Sequence, residues 1–162
     1  MANDHIATYL NDHLSGSVVA LELLEHLESS YAGTPLETFF KDLTAEITAD
    51  REKLESLMTQ FEIAESRPRK ASAWITEKVT ALKLLLDDPA DGDLRLFESL
   101  EALSLGIEGK RGLWLALAAV AERSPQFRLL NYPELISRAE AQRSRVEEKR
   151  IETAKRALVG TK

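Results

Sequence analysis

An all-α fold of four long helices and one short connecting helix is what the amino-acid sequence predicts, and three observations predict it. Apolar residues recur at alternating three- and four-residue spacings through most of the chain, the period of an amphipathic helix. The breaks in that pattern are few and sharp, at Ala32-Gly33-Thr34-Pro35, Ser66-Arg67-Pro68-Arg69-Lys70, the acidic run from Asp87 to Asp93, and Ser124 to Asn131. The composition of the 162 residues, 44% hydrophobic and 30% charged, suits one domain with one core.

Each element has its own justification. Asn3 stands as a cap for a first helix from about Asp4 to Tyr31, whose inward stripe is Ile6, Leu10, His13, Leu14, Ser17, Ala20, Leu21, Leu24 and Leu27. Gly33 ends it, and Thr34-Pro35-Leu36-Glu37 starts the second with a capping-box threonine, a proline at the first helical position and a glutamate at the third. Helix two runs to about Glu65 on Leu36, Phe40, Leu43, Ile47, Leu54, Met58 and Phe61, and so tight a turn makes the first two helices an antiparallel pair. A shorter helix follows from about Ala71 to Leu86, carrying Trp74, Val79 and Leu82. Helix three spans about Asp93 to Ala121 or Glu122, through Phe97, Leu100, Ser104, Ile107, Arg111, Trp114 and Ala118. A last helix begins near Tyr132-Pro133-Glu134 and reaches about Leu158. At about 1.5 Å per residue each long helix is on the order of 40 Å.

Composition excludes several chemistries. The chain has no cysteine, so there is no disulfide framework, thiolate metal site or cysteine nucleophile. Its three histidines, His5, His13 and His26, all fall in the first 26 residues. The N-terminus lacks the basic-then-apolar order of a signal peptide, and the longest apolar run, Leu113 to Ala121, is far shorter than a membrane span, so a soluble cytoplasmic protein without a membrane partner is expected. No nucleophile elbow, phosphate-binding glycine loop or Ser/His/Asp order is visible. Gly106, Gly109 and Gly112 read as close helix–helix approach rather than a phosphate cradle.

Two segments carry a family resemblance. Tyr9-Leu10-Asn11-Asp12-His13-Leu14-Ser15-Gly16-Ser17-Val18-Val19-Ala20-Leu21 resembles the first helix of bacterioferritin and its relatives in the ferritin-like superfamily, and Leu105-Gly106-Ile107-Glu108-Gly109-Lys110-Arg111 is similar to the corresponding stretch of the third. The two also resemble each other, Leu14-x-x-Ser17 against Leu105-x-x-Glu108, as an internally duplicated helix pair implies. The roughly 30 residues between helices two and three are enough for the single long crossover of ferritin-like folds, and equally for a helix packed across one end of an up-down-up-down bundle. In metal-binding members the resemblance implies a glutamate from each of helices one and three and a Glu-x-x-His from each of helices two and four. Here the helix-one position falls on Ser17, the helix-two pair on Ile47 and Asp50 or on Glu46 and Ala49, the helix-three position on Glu108, and the helix-four pair on Ala139 and Gln142 or on Glu140 and Arg143. No Glu-x-x-His exists in the chain, so the resemblance implies a bundle that has lost its di-metal site and needs no cofactor.

The site position is expected to hold a polar network of Ser17, Asp50, Glu108, Arg111, Gln142, Arg143 and Glu147 in place of metal, with an altered metal set of His13, Asp50 and Glu108 as the alternative. Glu22, Glu25 and Glu28 read as a solvated face. From Glu134 onward eight basic residues stand against five glutamates, giving this stretch +3 and the remainder −9 within a net charge of −6. The basic residues alternate with glutamate at spacings that form pairs along one helix, which favours a salt-bridged face over nucleic-acid binding. The stretch from Leu113 to Ala121, apolar all round, calls for cover by the connecting helix or a second subunit, so a homodimer or other homo-oligomer is expected. The function expected is that of a non-catalytic structural or interaction protein, of a stress-related kind. The alternative is a metal-binding or oxidase-like protein with an altered ligand set.

Overall fold

The computed structural model describes residues 2–66 and 92–159, and the short helix expected between them lies outside the described residues. Four long α-helices account for nearly all of what is described: α1 Ala2–Ser30, α2 Pro35–Gln60, α3 Gly92–Arg123 and α4 Tyr132–Ala157, with a 3-10 turn at Pro125–Phe127 between the last two. The described residues contain no strand.

The turns follow from local chemistry, with two departures from expectation. Gly33 takes the left-handed conformation (φ 77°) that closes α1. The Thr34 hydroxyl does not cap α2 but donates back to the Tyr31 carbonyl at 2.7 Å. The Glu37 carboxylate then accepts from the Gly33 N–H at 2.7 Å, so one turn satisfies both helix ends without the reciprocal capping box. Helix α2 ends at Gln60, short of Glu65, in a Schellman turn: the Ile63 N–H donates to the Met58 carbonyl at 2.9 Å and the Glu62 N–H to Thr59 at 3.1 Å. The left-handed residue there is Glu62 (φ 55°) rather than glycine, which is why composition gave no stop signal. Asn11 pins the chain beyond, its side chain accepting from the Ser66 N–H at 2.9 Å and donating to the Ala64 carbonyl. At the other hairpin Arg128 donates to the Ala121 carbonyl at 2.9 Å, the Tyr132 hydroxyl to Phe127 at 2.7 Å, and Asn131 accepts from the Glu134 N–H as the α4 cap.

Two apolar clusters fill the bundle and fix its topology. One gathers Leu10 and Leu14 of α1, Leu54, Leu57 and Met58 of α2, Leu113, Trp114 and Leu117 of α3, and Tyr132 and Leu135 of α4. The other gathers Leu24 and Leu27, Phe40, Leu43 and Ile47, Leu96, Leu100 and Leu103, and Val146. The first cluster thus joins the start of α1 to the ends of α2 and α3 and the start of α4. The second joins the opposite ends. Helices α1 and α4 therefore run one way and α2 and α3 the other. Because α2 and α3 are parallel, the chain leaves α2 at one end of the bundle and re-enters α3 at the far end, where the Tyr31 hydroxyl meets the Gly92 carbonyl. Helix α1 packs on α2 and α3, and α3 on α4, while α2 and α4 are joined by long polar side chains.

Candidate functional site: a buried polar layer between two apolar clusters

The inward stripe of each helix is interrupted midway along the bundle. On α2 the buried positions Phe40, Leu43, Ile47, Asp50, Leu54 and Leu57 alternate by three and four, and the fourth of them is an aspartate. On α4 the stripe Tyr132, Leu135, Ala139, Gln142 and Val146 places a glutamine at the same level. On α3 the buried positions Leu96, Leu100, Leu103, Ile107, Trp114, Leu117 and Ala121 leave one gap in an unbroken three-four series, and position 110 fills it with a lysine.

These residues meet. The Lys110 ammonium lies 2.6 Å from Asp50 Oδ2 and donates a second hydrogen bond to Gln142 Oε1. Gln142 Nε2 donates to the same Asp50 oxygen at 3.0 Å. Asp50 is 1% exposed and Gln142 fully buried, while the Lys110 side chain keeps 15%. Arg138, one turn before Gln142, brings Nη2 to 2.9 Å from Asp50 Oδ1, close enough for ion pairing but out of line for a hydrogen bond. The same guanidinium donates weakly to the Glu46 carbonyl, and Arg145 grips the Glu46 carboxylate through both oxygens at 2.6 and 2.7 Å. Burial pushes the Lys110 amine below its ordinary pKa, and the charge and hydrogen bond of Asp50 work against that shift.

Of the residues expected in the interior network, Asp50 and Gln142 share this layer and the others do not. The Ser17 hydroxyl, half-buried, donates to the Leu14 carbonyl of its own helix at 2.6 Å. Glu108, Arg111 and Arg143 lie at the rim: Arg111 reaches Glu108 at 3.1 Å and Glu140 at 3.0 Å, Arg143 stands 3.7 Å from Glu108, and their side chains are 31 to 44% exposed. The expectation that Arg111 and Arg143 point inward is corrected by one residue on each helix. The stripe runs through 110 and 142, and a step of about 100° carries the next side chain to the flank. Glu147 pairs with Arg150 at 2.8 Å, which with a Ser104 hydrogen bond holds its carboxyl down at about 2. Lys110 and Arg138 are the members that sequence reasoning missed.

His13 packs edge-on to Tyr9, ring centroids 4.8 Å apart, with burial lowering its pKa and Asp12 opposing the shift. Asp50 is engaged by Lys110, and Glu108 by two arginines, so the three do not converge. Among the described residues no group of three His, Cys, Asp or Glu is placed to hold an ion. One carboxylate, one amide and one ammonium are not the donor set of a di-metal centre, and the ammonium repels any dication. The site does not fit the metals that the resemblance implies.

The basic residues of α4 do more than pair along their own helix. Arg145 and Arg138 reach α2, Arg143 and Arg150 reach Glu108 and Glu101 of α3, and Arg156 approaches Asp93 at 3.4 Å, beside the intrahelical pairs Lys149–Glu152 and Arg150–Glu147. Glu22 and Glu25 are exposed, while Glu28 accepts a hydrogen bond from Thr44 of α2. Among the described residues no helix is long and apolar enough to cross a membrane. Comparison of the chain with models of known families, with curated proteins and with solved structures found no match.

Proposed function

We propose that this chain is a non-catalytic, ferritin-like bundle of the cytoplasm in which a side-chain cation stands in for a lost di-metal centre, and that it serves as a structural or interaction protein working as a dimer. The observation that carries this reading is the Lys110 ammonium, hydrogen-bonded to Asp50 and Gln142 midway along the core. A carboxylate there needs a positive partner. In metal-binding bundles of this kind the cations supply it, and here a lysine from the diagonally opposite helix does. Support for the scaffold comes from two tight hairpins with a parallel α2 and α3, the arrangement that a single long crossover produces.

Metal analysis of the purified chain, incubated with Fe(II) or Mn(II) and desalted, tests the reading. The expected result is no stoichiometric metal and no change in thermal melting. Stoichiometric metal, or a melt raised by several degrees, overturns it in favour of a metal-binding protein with an altered ligand set.

A further inference from the structure

Apart from Glu108, whose carboxylate meets Arg111 and Arg143, the outward face of α3 carries only apolar and small residues from Leu105 to Val120, about 20 Å of helix surface, and no neighbouring helix of the described fold covers it. Leu105 is 64% exposed, Leu115 42% and Val120 40%, with Gly109, Gly112, Ala116 and Ala119 exposed among them. A Cβ added at Gly109 or Gly112 would meet nothing within 4 Å, so these glycines answer no close approach inside the chain. A soluble protein seldom leaves three large apolar side chains aligned with small residues on one helix face in water.

The strip is self-complementary about its centre. If two copies of α3 lie antiparallel across a two-fold axis through Gly112, each residue meets the one equally far beyond that axis. Leu105 then faces Ala119, Leu115 faces Gly109 and Gly112 faces Gly112, so each large side chain meets a small one. At the ends Glu101 of one copy, one carboxylate oxygen of which meets Arg150 of its own chain at 3.2 Å, faces Arg123 of the other, opposite charges placed so that both ends pair at once; both are exposed here. At a shallow crossing of about 20° the ends remain within reach of these long side chains. Parallel packing would set like charge against like. We infer that the outward face of α3 is a homodimer interface, two copies packing antiparallel about Gly112 with Glu101 and Arg123 paired across it. This isologous contact rests on the dimer proposed above and supplies its surface.

Sedimentation or light scattering tests it on the full chain. The expected mass is twice the 18.1 kDa of one chain. Ala116→Glu, at an exposed position that leaves folding intact by circular dichroism, is expected to weaken the dimer about tenfold or more. Glu101→Arg and Arg123→Glu should each weaken it, and the double variant should restore it. Because the chain has no cysteine, Gly112→Cys should form an intermolecular disulfide on mild oxidation, its two Cα atoms coming within about 7 Å, whereas Glu52→Cys on the exposed side of α2 should not. A folded wild type that is monomeric, or a dimer indifferent to Ala116→Glu and cross-linked no better at 112 than at 52, overturns the interface. Metal content is read separately, so a metal-free monomer would sink this proposal and leave the reading of the interior standing.

Discussion

Lys110 and Asp50 meet across the diagonal of the bundle, Nζ to Oδ2 at 2.6 Å, with the carboxylate 1% exposed and the lysine one turn from the buried Ile107 and Trp114 in its own helix. The pair sits between the two apolar clusters, so it fixes the level of α2 against α3 across the core. A slip of either helix by one turn would bury one charge against leucine.

The first prediction concerns that pair. Burying a charge without its partner costs about 3–5 kcal/mol, whereas replacing both partners by apolar groups is often neutral. Asp50→Leu, which strands Lys110 beside Arg138, should lose stability at the upper end of that range. Lys110→Met should lose less, because Arg138 and Gln142 still face Asp50. The double variant should be more stable than the sum of the singles, with a coupling of about 1–3 kcal/mol in urea titrations. Additivity would show that the pair is not a unit. The same cycle on Glu108 and Arg111, both at the rim, should give no more than about 0.5 kcal/mol.

How far this site was legible in the sequence turns on one residue of helical phase. Asp50 and Gln142 stand out because each interrupts an apolar stripe that resumes one turn later. Lys110 does the same between Ile107 and Trp114, but a stripe drawn through Phe97, Ser104, Arg111 and Ala118 passes beside it and selects its neighbour. A strip of alternating threes and fours permits either phase until the buried positions are known. Arg138 carries no stripe signal at all: its guanidinium enters the layer from the flank on a flexible stem, which helical phase does not report. The helices and the hairpins were legible because glycine and proline mark the first turn and capping residues the last. The end of α2 was not, since Glu62 takes the left-handed turn that glycine ordinarily fills.

A gain of metal should follow from removing the built-in cation. Lys110→Glu with Gln142→His would place two carboxylates and an imidazole in one layer, and glutamate is shorter than lysine by enough to leave room for an ion. This double variant should acquire a melt that rises with added Co(II) or Mn(II), while the wild type shows none. A variant that folds, by circular dichroism, yet ignores both metals would mean the layer lacks a metal site's geometry.

The two left-handed residues make predictions of opposite sign. Gly33→Ala meets no neighbouring atom, so its cost is conformational alone, about 1 kcal/mol. Glu62→Gly removes the same strain from the Schellman turn and should stabilise the chain by about 0.5–1 kcal/mol, less what glycine adds to unfolded-chain entropy. Melting temperatures of the two variants should therefore move to either side of the wild type.

Acid should single out Glu147. The Arg150 hydrogen bond, assisted by Ser104 and by the charges of Arg150 and Arg143, holds its carboxyl at about 2 in the folded chain against an ordinary 4.5. A group whose folded pKa is depressed contributes stability that is present above the unfolded value and is lost as pH falls through the folded one. The side chain is 29% exposed, so solvent screening limits the contribution at pH 7 to about 1 kcal/mol or less. Glu147→Gln should thus be less stable than wild type at pH 7, and the gap should close between pH 4.5 and about 2, where the wild-type carboxylate takes up its proton. Urea midpoints measured across that window check it; a gap that stays constant down to pH 2 would assign the loss to packing rather than to the charge on Glu147.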